Sequence, residues 1–127
     1  MTHRDIHRRP LTELQQAILD VIWSAGPSTS EQVREALLPA HPLKDSSVRT
    51  LLRRLETRGF LKHSLDGKVF VYRAAVPSQS VAARAVQQII ERFCGGSVEQ
   101  FLAGMVDEKV LSIEEIRRLA KKVRSRT

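Results

Sequence analysis

Cysteine is nearly absent: Cys94 is the one such residue in a chain of 127. An internal disulfide is impossible, and a multi-cysteine zinc site is excluded. No apolar run comes near the roughly 18 residues that a membrane-spanning helix requires. The first ten residues (MTHRDIHRRP) are polar and hold no apolar h-region, so no secretory signal is expected. There is no Gly-rich phosphate loop and no Ser-His-Asp context, which speaks against an enzyme and against a bound cofactor. The acids fall mostly on helix surfaces (Glu31, Glu35, Glu56) or at caps (Asp45, Glu115). His3 and His7 have a spacing that holds metal on a helix, but no third ligand is near them, so no metal site is expected. Internal repeats and low-complexity segments are also missing. Positive charge is what the chain has in excess: 21 Lys+Arg against 14 Asp+Glu, a net charge of +7. Hydrophobic residues make up 42%, too many for a disordered chain. These features predict a basic cytoplasmic protein without membrane insertion, with nucleic acid as its leading partner class.

Residues 1–10 read as a basic arm. Thr12 and Gln15 then have capping-box spacing, and Leu14, Ala17, Ile18, Val21 and Ile22 follow as one helical stripe. Gly26-Pro27 stops that helix. Ser28 or Thr29 starts a second, with Glu31 at capping-box distance from Ser28, and Pro39 ends it. A third helix starts at Asp45 or a neighbouring serine. Its Val48, Leu51, Leu52 and Leu55 sit at i, i+3, i+4 and i+7 and face a core. Its other faces hold Ser46, Ser47, Arg49, Thr50, Arg53, Arg54 and Arg58, and Gly59 ends it. The period then changes. Phe60–Leu65 and Lys68–Ala74 flank Asp66-Gly67, a hairpin signal for a type I′ turn. Three more helices follow: residues 79–94, broken by Gly95-Gly96, then Ser97 to about Asp107, then one opened by the capping box of Ser112 and Glu115.

Three short helices and a hairpin in this order predict a winged helix-turn-helix domain over residues 11–77. The chain is therefore expected to be mainly α with a small β-hairpin, with residues 78–127 as a separate three-helix domain. In a winged helix the third helix enters the major groove of double-stranded DNA. Its apolar positions point in, which leaves Ser46, Ser47, Arg49, Thr50 and Arg53 to point out. Arginine can pair with guanine through two hydrogen bonds, and Thr or Ser can read several bases. Residues 44–73 carry eight Lys+Arg and three acids, so most of the net charge lies on the third helix and hairpin. Lys44 precedes that helix, and Lys68 sits beside the wing tip, within reach of a phosphate. Free N–H groups at the second helix start, near Thr29 and Ser30, offer a phosphate site. Arg54 neighbours Leu55 and has an intramolecular ion pair as its alternative role.

The run Ser47-Val48-Arg49-Thr50-Leu51-Leu52-Arg53-Arg54-Leu55, with Arg58-Gly59-Phe60-Leu61, resembles the recognition helix of the penicillinase-repressor (BlaI/MecI) family. Leu11-Thr12-Glu13-Leu14 leading to Val21-Ile22-Trp23 is similar to that family's first helix. Asp66-Gly67-Lys68-Val69-Phe70-Val71-Tyr72 resembles its wing, Arg92-Phe93-Cys94-Gly95-Gly96-Ser97 its hinge, and Leu111-Ser112-Ile113-Glu114-Glu115-Ile116 its last helix. The resemblance covers about residues 11–124. It implies a homodimeric repressor whose winged domain binds an inverted-repeat operator and whose C-terminal helices make the dimer. The residues agree in part, because a tail of three helices is too small to bury all its apolar positions alone. Val86, Ile89, Ile90, Phe93, Phe101, Leu102, Met105, Val106, Leu111, Ile116 and Leu119 are the expected dimer surface. Packing on the chain's own winged domain is their other reading.

The resemblance also implies release by a membrane sensor-protease that cuts the C-terminal domain. Matched backwards from Leu111-Ser112, the cut falls near Gly104-Met105, where this chain lacks the family's Asn-Phe pair. A related branch, the copper-responsive CopY-type repressors, uses paired Cys-x-Cys motifs, which Cys94 alone cannot supply. Two other functions fit a winged helix: a dimer controlled by a small ligand, as in MarR- or PadR-like proteins, and a protein–protein interaction module. Arg49 and Arg53 argue against the second.

Overall fold

The first helix begins where the sequence places its cap. In α1 (Glu13–Ala25) the Thr12 hydroxyl accepts from the Gln15 N–H at 3.1 Å, and the Gln15 amide oxygen accepts from the Thr12 N–H at 3.1 Å. Gly26, at φ 87°, ends the helix in a conformation that side chains disfavour. The structure is a computed structural model and describes residues 9–126. The expected basic arm, with His3 and His7, lies outside the described residues apart from Arg9 and Pro10.

The second helix, α2 (Ser30–Ala36), is capped by Thr29 rather than Ser28, and Gln32 rather than Glu31 completes the box. Ser28 is buried. Together with Thr29 it forms a two-residue strand, β1 (Ser28–Thr29). Nothing in the local pattern predicts that strand, because it exists only through its partner.

α3 (Asp45–Thr57) starts at Asp45, as expected, with Lys44 as an N-cap that makes no side-chain hydrogen bond. Val48, Leu52 and Leu55 are fully buried and Leu51 is half-buried. The hairpin follows as β2 (Leu61–Asp66) and β3 (Val69–Ala74), antiparallel from Leu61↔Ala74 to Asp66↔Val69. β1 pairs with the other edge of β3, which gives the sheet order β1-β3-β2.

The turn corrects the sequence reading. Asp66 still pairs with Val69, so Gly67-Lys68 are the two loop residues. Gly67 has φ 65° and Lys68 has no positive φ, which is the pattern of a type II′ turn rather than I′. Both types fit the right-handed twist of a hairpin, and glycine in the first loop position selects II′.

Ile18, Leu19 and Ile22 of α1, Val33 of α2, Leu37 after it, and Val48, Leu52 and Leu55 of α3 form one core with Phe60, Leu61 and Tyr72. This is a winged helix, with the β2–β3 hairpin as its wing. Trp23 seals one side by donating its indole N–H to the Val76 carbonyl at 3.1 Å.

The chain divides into two compact units, Met1–Ala85 and Val86–Thr127, and the division falls inside α4 (Ser78–Phe93). The second unit holds the end of α4, then α5 (Val98–Asp107) and α6 (Ile113–Arg126). Ser97 caps α5, accepting from the Gln100 N–H at 3.0 Å. The predicted box of Ser112 and Glu115 opens α6, with bonds of 3.0 and 3.1 Å. No described residue of this second unit is buried. Among the described residues no helix is long and apolar enough to cross a membrane.

Candidate nucleic-acid interface

α3 turns its apolar residues into the core, so its opposite face is left to charged and hydroxyl side chains. Ser46, Arg49, Thr50 and Arg53 share that face and line a groove of about 650 Å³. Ser30, the first residue of α2, closes one end, and Lys68, Val69, Phe70 and Tyr72 of the wing form the far wall. Six of the residues expected at the interface therefore surround one concavity: Ser30, Ser46, Arg49, Thr50, Arg53 and Lys68. No carboxylate is among its described lining residues.

Thr29, Lys44 and Ser47 are not part of this lining. Thr29 engages two of the amides at the start of α2 through its cap. Its own N–H donates to the Gln32 side chain at 2.9 Å, and its hydroxyl takes the Gln32 N–H. Lys44 is exposed at the N-terminus of α3, and Ser47 is half-buried on it.

Two of the side chains expected to read bases are already engaged within α3. The Arg49 guanidinium lies 3.0 Å from the Asp45 carboxylate, one turn back. The Thr50 hydroxyl donates to the Ser46 carbonyl at 2.9 Å. Arg53 and Arg54 are both exposed, and no ion pair holds Arg54 among the described residues.

Arg58 departs from the outward-facing set. It is buried, with its guanidinium donating to the Gln15 amide oxygen at 3.0 Å and to the Arg9 carbonyl. It belongs to the foundation of the domain rather than to its basic surface.

The apolar wall of the groove was missed as a functional surface, although the alternation of β3 put Phe70 and Tyr72 on one face. Phe70 is half exposed and Tyr72 is buried. His63 on β2 packs against Phe70 with ring centroids 4.7 Å apart, and Glu56 ties it to α3. Its ring Nδ1 lies 2.6 Å from the Glu56 carboxylate, which also accepts the His63 backbone N–H at 3.1 Å. Burial raises the Tyr72 phenol above its ordinary range, and Glu56 adds to the rise while Arg53 opposes it. The phenol is thus a neutral group at the back of the groove.

In the second unit, Phe93, Ile89, Leu119 and Val86 of the expected dimer surface are exposed. Ile90, Phe101, Leu102, Met105, Val106, Leu111 and Ile116 are half-buried. Gly104-Met105 lies inside α5, and the Gly104 carbonyl accepts from the Glu108 N–H at 2.9 Å.

The penicillinase repressor family model matches residues 11–125. An uncharacterised 16.5 kDa protein of Latilactobacillus sakei is 33% identical over 109 residues, which cover 86% of this chain and 75% of that protein. The penicillinase repressor of Bacillus licheniformis is 24% identical, over 86% of this chain and 85% of its own length. Among solved structures, a transcriptional regulator from Thermotoga maritima superposes with a TM-score of 0.51 at 23% identity, over 98% of this chain and 84% of that one. That likeness is one of fold. The chain belongs to the penicillinase repressor family of DNA-binding transcriptional repressors.

Proposed function

We propose that this protein acts as a homodimer that recognises an inverted-repeat operator. α3 lies in the major groove and the β2–β3 wing rests on the flanking backbone. The observation that carries this reading is the convergence of Ser46, Arg49, Thr50 and Arg53 with Lys68 on one groove that has no carboxylate among its described lining residues. Arginine supplies paired donors for guanine, hydroxyls adapt to several bases, and a lysine at the wing tip meets phosphate as a point charge. The second unit supports the dimer. Among its described residues it has no buried residue, while Phe93 and other large apolar side chains stand exposed. A two-fold dimer doubles the base pairs read, which one small half-site needs for useful discrimination. A cut at Gly104-Met105 requires α5 to unwind first, since the carbonyl of that peptide bond is held within the helix.

The test is fluorescence anisotropy on a duplex from upstream of the protein's own gene, beside a scrambled duplex and a salt series. Tight binding at two protomers per site, falling steeply with salt, is the expected result. Equal affinity for both duplexes, or no binding at low salt, overturns the reading. Within this assay Arg49→Ala should weaken operator binding by about 1–3 kcal/mol and relax preference at one base pair in each half-site. A loss of the same size on every duplex would make Arg49 a phosphate contact instead.

A further inference from the structure

We infer that Asp45 is a positioning residue for base readout: it holds the Arg49 guanidinium for a guanine edge and away from the phosphates. The inference rests on the DNA-binding reading above and adds a specificity-determining residue to it.

Three observations support it. Asp45 is the first residue of α3 and Arg49 the fifth, so the two share one face, and the Arg49 Nη2 lies 3.0 Å from the Asp45 Oδ2. Their side chains are 58% and 50% exposed, so water screens the pair and its contribution to stability is small. What the contact gives is a direction: it sets the Arg49 guanidinium back toward the first turn of α3. The third observation is an omission among the described residues. The Ser47 and Val48 N–H groups both donate to the Lys44 carbonyl, at 3.0 and 3.1 Å, and neither donates to the Asp45 carboxylate. Asp45 is turned toward Arg49 rather than toward the amides of its own helix end.

The chemistry gives this contact a purpose. A guanidinium has five N–H donors, and a contact at one terminal nitrogen leaves enough of them for two parallel bonds to the O6 and N7 of guanine. An unrestrained arginine beside DNA has another partner in reach on every sequence, the phosphate oxygens. The Asp45 carboxylate opposes that choice twice. It competes for the guanidinium, and it repels phosphate at the end of α3 that approaches the duplex. Removing it should therefore strengthen non-specific binding while weakening discrimination.

The experiment selects bound duplexes from a randomised 30-base-pair pool with the wild-type protein, Asp45→Asn, Arg49→Lys and the double variant. Anisotropy on the wild-type consensus and on a scrambled duplex follows. The expected result is that Asp45→Asn keeps the inverted repeat but loses preference about 5–10-fold at one guanine per half-site. It should bind the scrambled duplex more tightly than wild type, with a steeper salt dependence. Arg49→Lys should lose the same guanine, and the double variant should resemble Arg49→Lys, because Asp45 acts through Arg49. Equal thermal unfolding of Asp45→Asn and wild type keeps the comparison free of folding effects. An unchanged guanine preference in Asp45→Asn overturns the inference and leaves the DNA reading standing. Loss of preference at a different base pair overturns it as well, making Asp45 a direct reader of cytosine. Failure of the wild-type protein to enrich any motif removes the DNA reading and this inference together.

Discussion

Arg58 carries a guanidinium into the interior, and its surroundings are built for it. Its plane lies over the Phe60 ring at 5.1 Å, a contact that favours a cation on the ring face. Gln15, itself buried, turns its amide oxygen to the guanidinium, and the Arg9 carbonyl takes another of its donors. Burial first, and the charge of Arg9 second, lower the Arg58 pKa, yet a guanidinium stays protonated at any ordinary pH. Truncation would remove two charge-assisted hydrogen bonds and leave the Gln15 oxygen with the Thr12 N–H alone, a cost of about 1.5–3 kcal/mol in addition to the lost packing. Arg58→Ala should thus lower the stability of the winged domain by about 2–3 kcal/mol in urea titration, with Arg58→Lys falling between. If Arg58 served only the basic surface, its removal would leave the urea midpoint unchanged. The sequence groups Arg58 with Arg49 and Arg53 because all three stand on or just after one helix. What separates it is Gln15, 43 positions away, and no local pattern reports a partner at that distance.

At the scale of elements, legibility follows the origin of the signal. The boxes at Thr12 and Ser112 are each written in four residues, and the α3 stripe in eight, so those helices were readable from spacing alone. β1 was not, since two residues have no period and the strand is defined by Tyr72 and Val71 across from it. The loop of the wing shifted by one position for a related reason. Asp-Gly and Gly-Lys are both acceptable two-residue turns, and the pairing of Asp66 with Val69 decides between them. The candidate groove was half legible. Helical spacing gathers Ser46, Arg49, Thr50 and Arg53, whereas the wall of Val69, Phe70 and Tyr72 depends on how the hairpin folds back. The corrected turn moves Lys68 from beside the tip to the tip itself. A lysine there, exposed and at the rim of the groove, suits a phosphate contact rather than base readout. Lys68→Ala should weaken binding mildly and evenly across sequences and reduce the salt slope by about one. A change confined to one base pair in a selection experiment would instead make the wing tip a reader.

For the molecule as a whole, the contrast between the two units decides the assembly we propose. Among its described residues the first unit buries eleven hydrophobic side chains in one core. Among its described residues the second buries none, although α4, α5 and α6 each carry an apolar face. Phe93 is 71% exposed, and Val98, Ile113 and Val123 are each more than half exposed. Helices this short gain most of their stability from packing such faces, and in the proposed assembly a second copy would supply complementary faces under two-fold symmetry. Phe93 is the sharpest probe, because a side chain so exposed in the single chain can be made charged without opening a core. Phe93→Asp should halve the mass seen by light scattering at micromolar concentration. The unfolding transition of the winged unit should persist, since its core lies wholly within the first 85 residues. Operator affinity should then fall by about 10²-fold or more, because each half-site binds without the other. Leu102→Asp, on α5, provides an independent break in the same surface. If both variants keep the wild-type mass, the apolar faces of the second unit serve something other than the dimer. Binding of an inverted repeat by two protomers would then need a different source of symmetry.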